Sequence, residues 1–108
     1  MADLAIVNEL SAAQVTVSFF DENGNPMTPA TVDYRIDCMT TGKAIQGWIT
    51  AGPPSQVMTI VVAANQNAII NEGNSYETKC VTVGANRGSA TEFTSQYLYQ
   101  VENLPGIP

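Results

Sequence analysis

Apolar and polar residues alternate along most of this chain with a period of two, and no stretch carries the 3.6-residue period of an amphipathic helix. Residues 14–21 read as a strand, with Val15, Val17 and Phe19 on one face and Thr16, Ser18 and Phe20 on the other. Residues 21–26 then read as a turn, because Asn23-Gly24 tolerates positive φ and Pro26 cannot continue a ladder. Residues 31–38 alternate most cleanly. Val32, Tyr34, Ile36 and Cys38 share one face, opposite Asp33, Arg35 and Asp37, which predicts a half-buried strand with an ion-paired solvent face.

A turn at Thr40-Thr41-Gly42-Lys43 leads to a shorter strand over 44–50 that holds Trp48 and ends at Ala51-Gly52-Pro53-Pro54. Residues 56–63 are almost continuously apolar, so their inward face is ambiguous from sequence. Residues 64–71 form the one segment suited to a helical turn, with Ala68, Ile69 and Ile70 placed to cover one end of a core. Residues 75–84 and 92–101 make a last hairpin, and the closing Pro-rich residues cannot be regular.

About seven short strands punctuated by turn residues predict an all-β domain, an immunoglobulin/fibronectin type III-like antiparallel β-sandwich. The division expected is 1–13 as an N-terminal arm or first edge strand, 14–103 as the sandwich, and 104–108 as a Pro-rich C-terminal tail. Tyr76 follows the long crossing segment, where such sandwiches often place a corner tyrosine, and it shares a strand face with Cys80. Cys38 and Cys80 fall on the third and sixth strands, which neighbour each other in one sheet. The immunoglobulin bridge joins different sheets, so two reduced, buried thiols are expected.

Composition changes the picture in one direction. Only 13% of the 108 residues are charged, against 44% hydrophobic, and the mean hydropathy is zero. Asn, Gln, Ser, Thr and Ala must then cover much of the surface, which suits packing against partner subunits and is also common in secreted β-domains. The net charge is −6, and the four cations Arg35, Lys43, Lys79 and Arg87 are scattered. They cannot make the basic stripe that nucleic acid requires, so neither direct nucleic-acid nor anionic-membrane binding is expected. No signal peptide is visible at the N-terminus, and no apolar run approaches the ~20 residues of a membrane span. A protein made and used without export is expected.

Histidine is absent. Its absence removes Ser-His and Cys-His activation, the commonest general base and most zinc sites, and the glycines stand singly rather than in a phosphate loop. No enzyme activity, catalytic residue, cofactor or metal site is therefore expected. Asp33, Arg35 and Asp37 read as an ordinary wetted sheet face. Asp21, Asn23 and Asn25 alternate like calcium ligands, but position twelve of such a loop would be Val32, not Glu.

The order of several segments resembles small immunoglobulin-like proteins encoded by tailed bacteriophages and prophages. They are Val15-Thr16-Val17-Ser18-Phe19, Asp21-Glu22-Asn23-Gly24-Asn25-Pro26, Thr31-Val32-Asp33-Tyr34-Arg35-Ile36-Asp37 and Asn67-Ala68-Ile69-Ile70-Asn71. Two more are Ser75-Tyr76-Glu77-Thr78-Lys79-Cys80-Val81-Thr82-Val83 and Glu92-Phe93-Thr94-Ser95-Gln96-Tyr97-Leu98-Tyr99-Gln100-Val101. Cys38 and Cys80 are the least family-like residues. The resemblance implies a virion structural protein, synthesised in the host bacterial cytoplasm, with other virion proteins as partners in a symmetric assembly. Its expected role is a capsid decoration or cement subunit, with a head–tail connector or tail component, or a bacterial surface adhesin module, as alternatives. The apolar residues expected to meet a partner are Leu4 and Ile6 in an N-terminal arm, Leu104 and Ile107 in the tail, and Trp48 on an edge strand, for which the sequence leaves a place in the core equally open.

Overall fold

A computed structural model describes residues 5–104. In chain order the strands are β1 (Ala5–Asn8), β2 (Ala13–Ser18), β3 (Val32–Cys38), β4 (Ala44–Thr50), β5 (Val57–Val62), β6 (Tyr76–Ala85) and β7 (Phe93–Glu102). A 3-10 turn at Ala64–Asn67 is the one helical element among the described residues. The all-β expectation therefore stands. In β5 the ambiguity of the sequence is resolved: Met58, Ile60 and Val62 are buried, while Val57, Thr59 and Val61 face outward.

The strands form a five-stranded sheet, ordered β1-β7-β6-β3-β4, and a two-stranded sheet, β2-β5. Both sheets contribute to one core. Val17, Phe19, Ile60 and Val62 come from the smaller sheet and its edge, and Val32, Ile36, Val81, Val83 and Val101 from the larger. Each such side chain, withdrawn from water, stabilises the fold by about 1.5–3 kcal/mol. At one end Phe19 meets Phe93 edge to face, with ring centroids 5.9 Å apart.

Three details refine the sequence reading. The first concerns the N-terminal segment. Ala5–Asn8 pairs parallel with β7, from Ala5↔Tyr99 to Asn8↔Glu102, in a sheet whose other pairs are antiparallel. A parallel pair is available here because the two strands lie at opposite ends of the chain, where no tight hairpin constrains them. Of the two forms expected for this segment, Ala5–Asn8 takes that of an edge strand of its own sheet rather than an arm free for a neighbour.

The second concerns Tyr76, which is 49% exposed and closes no corner. Its strand turns Glu77, Lys79, Val81, Val83 and Ala85 inward, and the buried tyrosine hydroxyl belongs to Tyr99, which donates to Asn67 Oδ1. The third concerns the cysteines. β3 and β6 are indeed neighbours, but Asp37 stands opposite Cys80 and Cys38 opposite Lys79. The two thiols therefore lie on opposite faces of the sheet, and both are free and buried. No disulfide geometry is available to them.

The turn after β2 forms as the sequence predicts. Gly24 takes φ of 83°, and Asp21 Oδ1 accepts the N–H groups of Asn23 and Asn25 at 2.9 Å each. That carboxylate closes its own turn, as Asx residues do.

Candidate partner interface

The residues expected to meet a partner do not converge. Leu4 and Ile107 lie outside the described residues. Ile6, 65% exposed, sits on β1 at one edge of the large sheet, and Trp48, 37% exposed, sits on β4 at the other. Leu104 is half-buried, and its N–H donates to Glu9 Oε1 at 2.7 Å, which ties the start of the tail to the N-terminal side.

Trp48 is neither core nor a bare anchor. Its ring lies under the Arg87 guanidinium, 3.8 Å from the centroid, with Arg35 5.9 Å away. Arg35 forms a two-point contact with Asp37, Nε and NH2 each at 2.8 Å, and Arg87 reaches Asp33 at 3.6 Å. Asp37 raises the Arg35 pKa further above its ordinary value, by hydrogen bond and then by charge. Gly84 makes room for this layer. A Cβ there would come within 2.7 Å of the Arg87 side chain and 3.3 Å of the Trp48 ring. The strand face read as an ion-paired ladder is therefore an aromatic–guanidinium cluster that spans β3, β4 and the loop after β6, a link no sequence period records.

Elsewhere the exposed apolar groups are more numerous than the sequence reading named. Phe20, Met39, Ile49, Val57, Val61 and Leu98 are all exposed. At the end of the molecule formed by the β2–β3 and β6–β7 loops, Phe20, Met27 and Phe93 line an open groove of about 520 Å³ whose rim includes Asp21, Glu22 and Asn86. Asn86 holds the groove's shape, since its Oδ1 accepts the N–H of Ala30 at 2.7 Å. Phe20 was the legible signal: an aromatic on the polar face of an otherwise alternating strand.

The opposite end is closed by a polar cluster that sequence reasoning missed. Glu77 and Lys79 are fully buried and paired at 3.2 Å. The Glu77 carboxylate also accepts the N–H groups of Ile70 (2.8 Å) and Asn71 (2.9 Å) and the Asn74 amide (3.1 Å), while Lys79 Nζ donates to Ala68 O at 3.1 Å. Burial pushes the Glu77 pKa up, but these donors outweigh it and hold the carboxyl at about 2. Burial also pushes Tyr99 up to about 12, against the pull of its bond to Asn67. No buried side-chain polar atom is left unpaired among the described residues, so the cluster reads as a structural seal.

Among the described residues no group of three or more His, Cys, Asp or Glu side chains is placed to hold a metal ion, and no helix is long and apolar enough to cross a membrane. In comparisons with known proteins the chain matches no family model, no curated protein and no solved structure.

Proposed function

We propose that this chain is a non-catalytic structural subunit of a tailed-phage virion, an immunoglobulin-like sandwich that binds neighbouring shell subunits as a capsid decoration protein. The strand arrangement supports the immunoglobulin-like part: the second and fifth strands pair apart from the third, sixth and seventh, as in that family of sandwiches. The virion part rests on the resemblance of the segment order to phage-encoded proteins.

The observation that carries the binding role is the surface. Ile6, Phe20, Trp48, Val57, Val61 and Leu98 all reach solvent on a chain with few charges. Scattered apolar groups need no explanation, but this many around so small a domain suit a molecule whose sides are covered in an assembly. Symmetry then multiplies modest contacts into stable attachment.

Light scattering coupled to size exclusion tests the reading, with the protein alone and mixed with tailed-phage capsid particles. Co-elution with the particles at a fixed, symmetric stoichiometry is the expected result. A closed ring that ignores the shell moves the assignment to the head–tail or tail apparatus. A protein inert in both measurements overturns the virion role.

A further inference from the structure

We infer that two copies of this chain pair through the free edge of β5, in antiparallel register about a two-fold axis at Thr59. Among the described residues β5 pairs with β2 alone, so its other edge pairs with no strand, and the side-chain bond made there is Ser55 Oγ donating to Val57 O. Phe19 N–H bonds to Gln56 O at 2.9 Å, which directs the backbone groups of Gln56, Met58, Ile60 and Val62 toward β2. By alternation the N–H and C=O groups of Val57, Thr59 and Val61 point to the free edge.

Three properties of that edge specify a second copy. β2 and β5 carry no charged residue, although the chain as a whole has ten acids and four bases. Two molecules of net charge −6 meet at least cost where neither presents charge. The outward row Val57, Thr59, Val61 also reads the same in both directions. With Thr59 on the axis, Val57 faces Val61 of the other copy and Thr59 faces itself, both favourable cross-strand pairs, while Met58 faces Ile60. Finally, β5 itself holds no Lys, no Pro and no bulge, and the Ser55 hydroxyl that meets Val57 O leaves that carbonyl a second lone pair.

The other free edges are less suited. β4 shifts register against β3 at two points, β1 is four residues long, and β2, though uncharged, turns the polar row Gln14, Thr16 and Ser18 outward, which buries little apolar surface and does not read the same in both directions. Pairing at β5 would create a continuous four-stranded sheet with an uncharged outer face. The inference stands apart from the virion role, since it is argued from the strand edge alone.

Sedimentation equilibrium of the full chain tests it, from micromolar to millimolar concentration, beside the variants Thr59→Glu and Gln14→Glu. Thr59 and Gln14 are both exposed on the outward face of the small sheet, and each substitution adds one negative charge. The wild type and Gln14→Glu should dimerise alike, whereas Thr59→Glu sets two carboxylates opposite each other and should weaken the dimer at least ~tenfold. Thr59→Cys should form an intermolecular disulfide under mild oxidation, and Thr16→Cys should not. The cysteine pair decides the matter if Thr59→Glu does not fold by circular dichroism. A wild-type monomer at every concentration overturns the inference, and so does a dimer that Thr59→Glu leaves intact or that Thr59→Cys does not cross-link.

Discussion

The two sheets meet solvent and core in opposite ways. The larger sheet carries Asp33, Arg35, Asp37, Glu77, Lys79 and Glu102 on its strands, and the smaller carries no charge. On its outer face the larger sheet spreads charge over Trp48, which wets the surface and discourages stacking. On its inner face it buries an ion pair that must be satisfied to the last donor. The smaller sheet depends on apolar burial inward and leaves Val57 and Val61 in water outward. A charged sheet gains specificity at the risk of an unpaired ion, and a neutral one gains freedom to associate.

The largest expected effect breaks the buried side of this contrast. Lys79→Met should destabilise the fold by about 3–5 kcal/mol, because it leaves the Glu77 carboxylate buried with one donor fewer. Urea denaturation measures it, and a cost below 1 kcal/mol would mean that water reaches the cluster.

Acid titration sharpens the same point. The folded-state pKa of Glu77 is about 2, below the ordinary 4.5 of the unfolded chain. Its contribution to stability is thus whole above pH 4.5 and fades as pH falls from 4.5 toward 2. Glu77→Gln should flatten that acid limb in thermal melts taken across the window.

The neutral sheet has no such window. Ile60→Ala should cost about 2–5 kcal/mol by lost burial and cavity, and the loss should be the same at pH 3 and pH 7. A loss that grows in acid would show that the two sheets share the polar seal rather than divide the work.

The smallest effect belongs to the outer cluster. Arg87→Ala removes a guanidinium from the Trp48 ring and should cost about 0.5–1 kcal/mol, since the pair is exposed. As the chain has a single tryptophan, its fluorescence emission reports the change directly. An unmoved spectrum would show that Arg87 does not rest on the ring in solution.

Much of the fold was legible because strands and turns are local. The alternation of Val32 to Cys38 and the Asn23-Gly24 turn fix conformation within a few residues, and each expected strand formed within a few residues of its expected ends. The groove at one end was not read from the sequence, although Phe20 breaks the alternation there.

The candidate interface was less legible, and β6 shows why. Its two alternating sets are Tyr76, Thr78, Cys80, Thr82 and Gly84, against Glu77, Lys79, Val81, Val83 and Ala85. Each set mixes apolar with polar residues, so alternation alone does not choose between them, and the set with both charges went inside. The deciding donors, Ile70 and Asn71 N–H and the Asn74 amide, come from the connection between β5 and β6.

The sequence by itself determined an all-β chain, the places where it turns, and a surface with few charges, because these depend on local conformation and composition. Only the tertiary structure decided which strand edges stay open, which charges are buried, and that Arg87 lies across Trp48. Those outcomes depend on groups distant in the chain meeting where water is excluded, and a buried charge is stable only where such partners arrive.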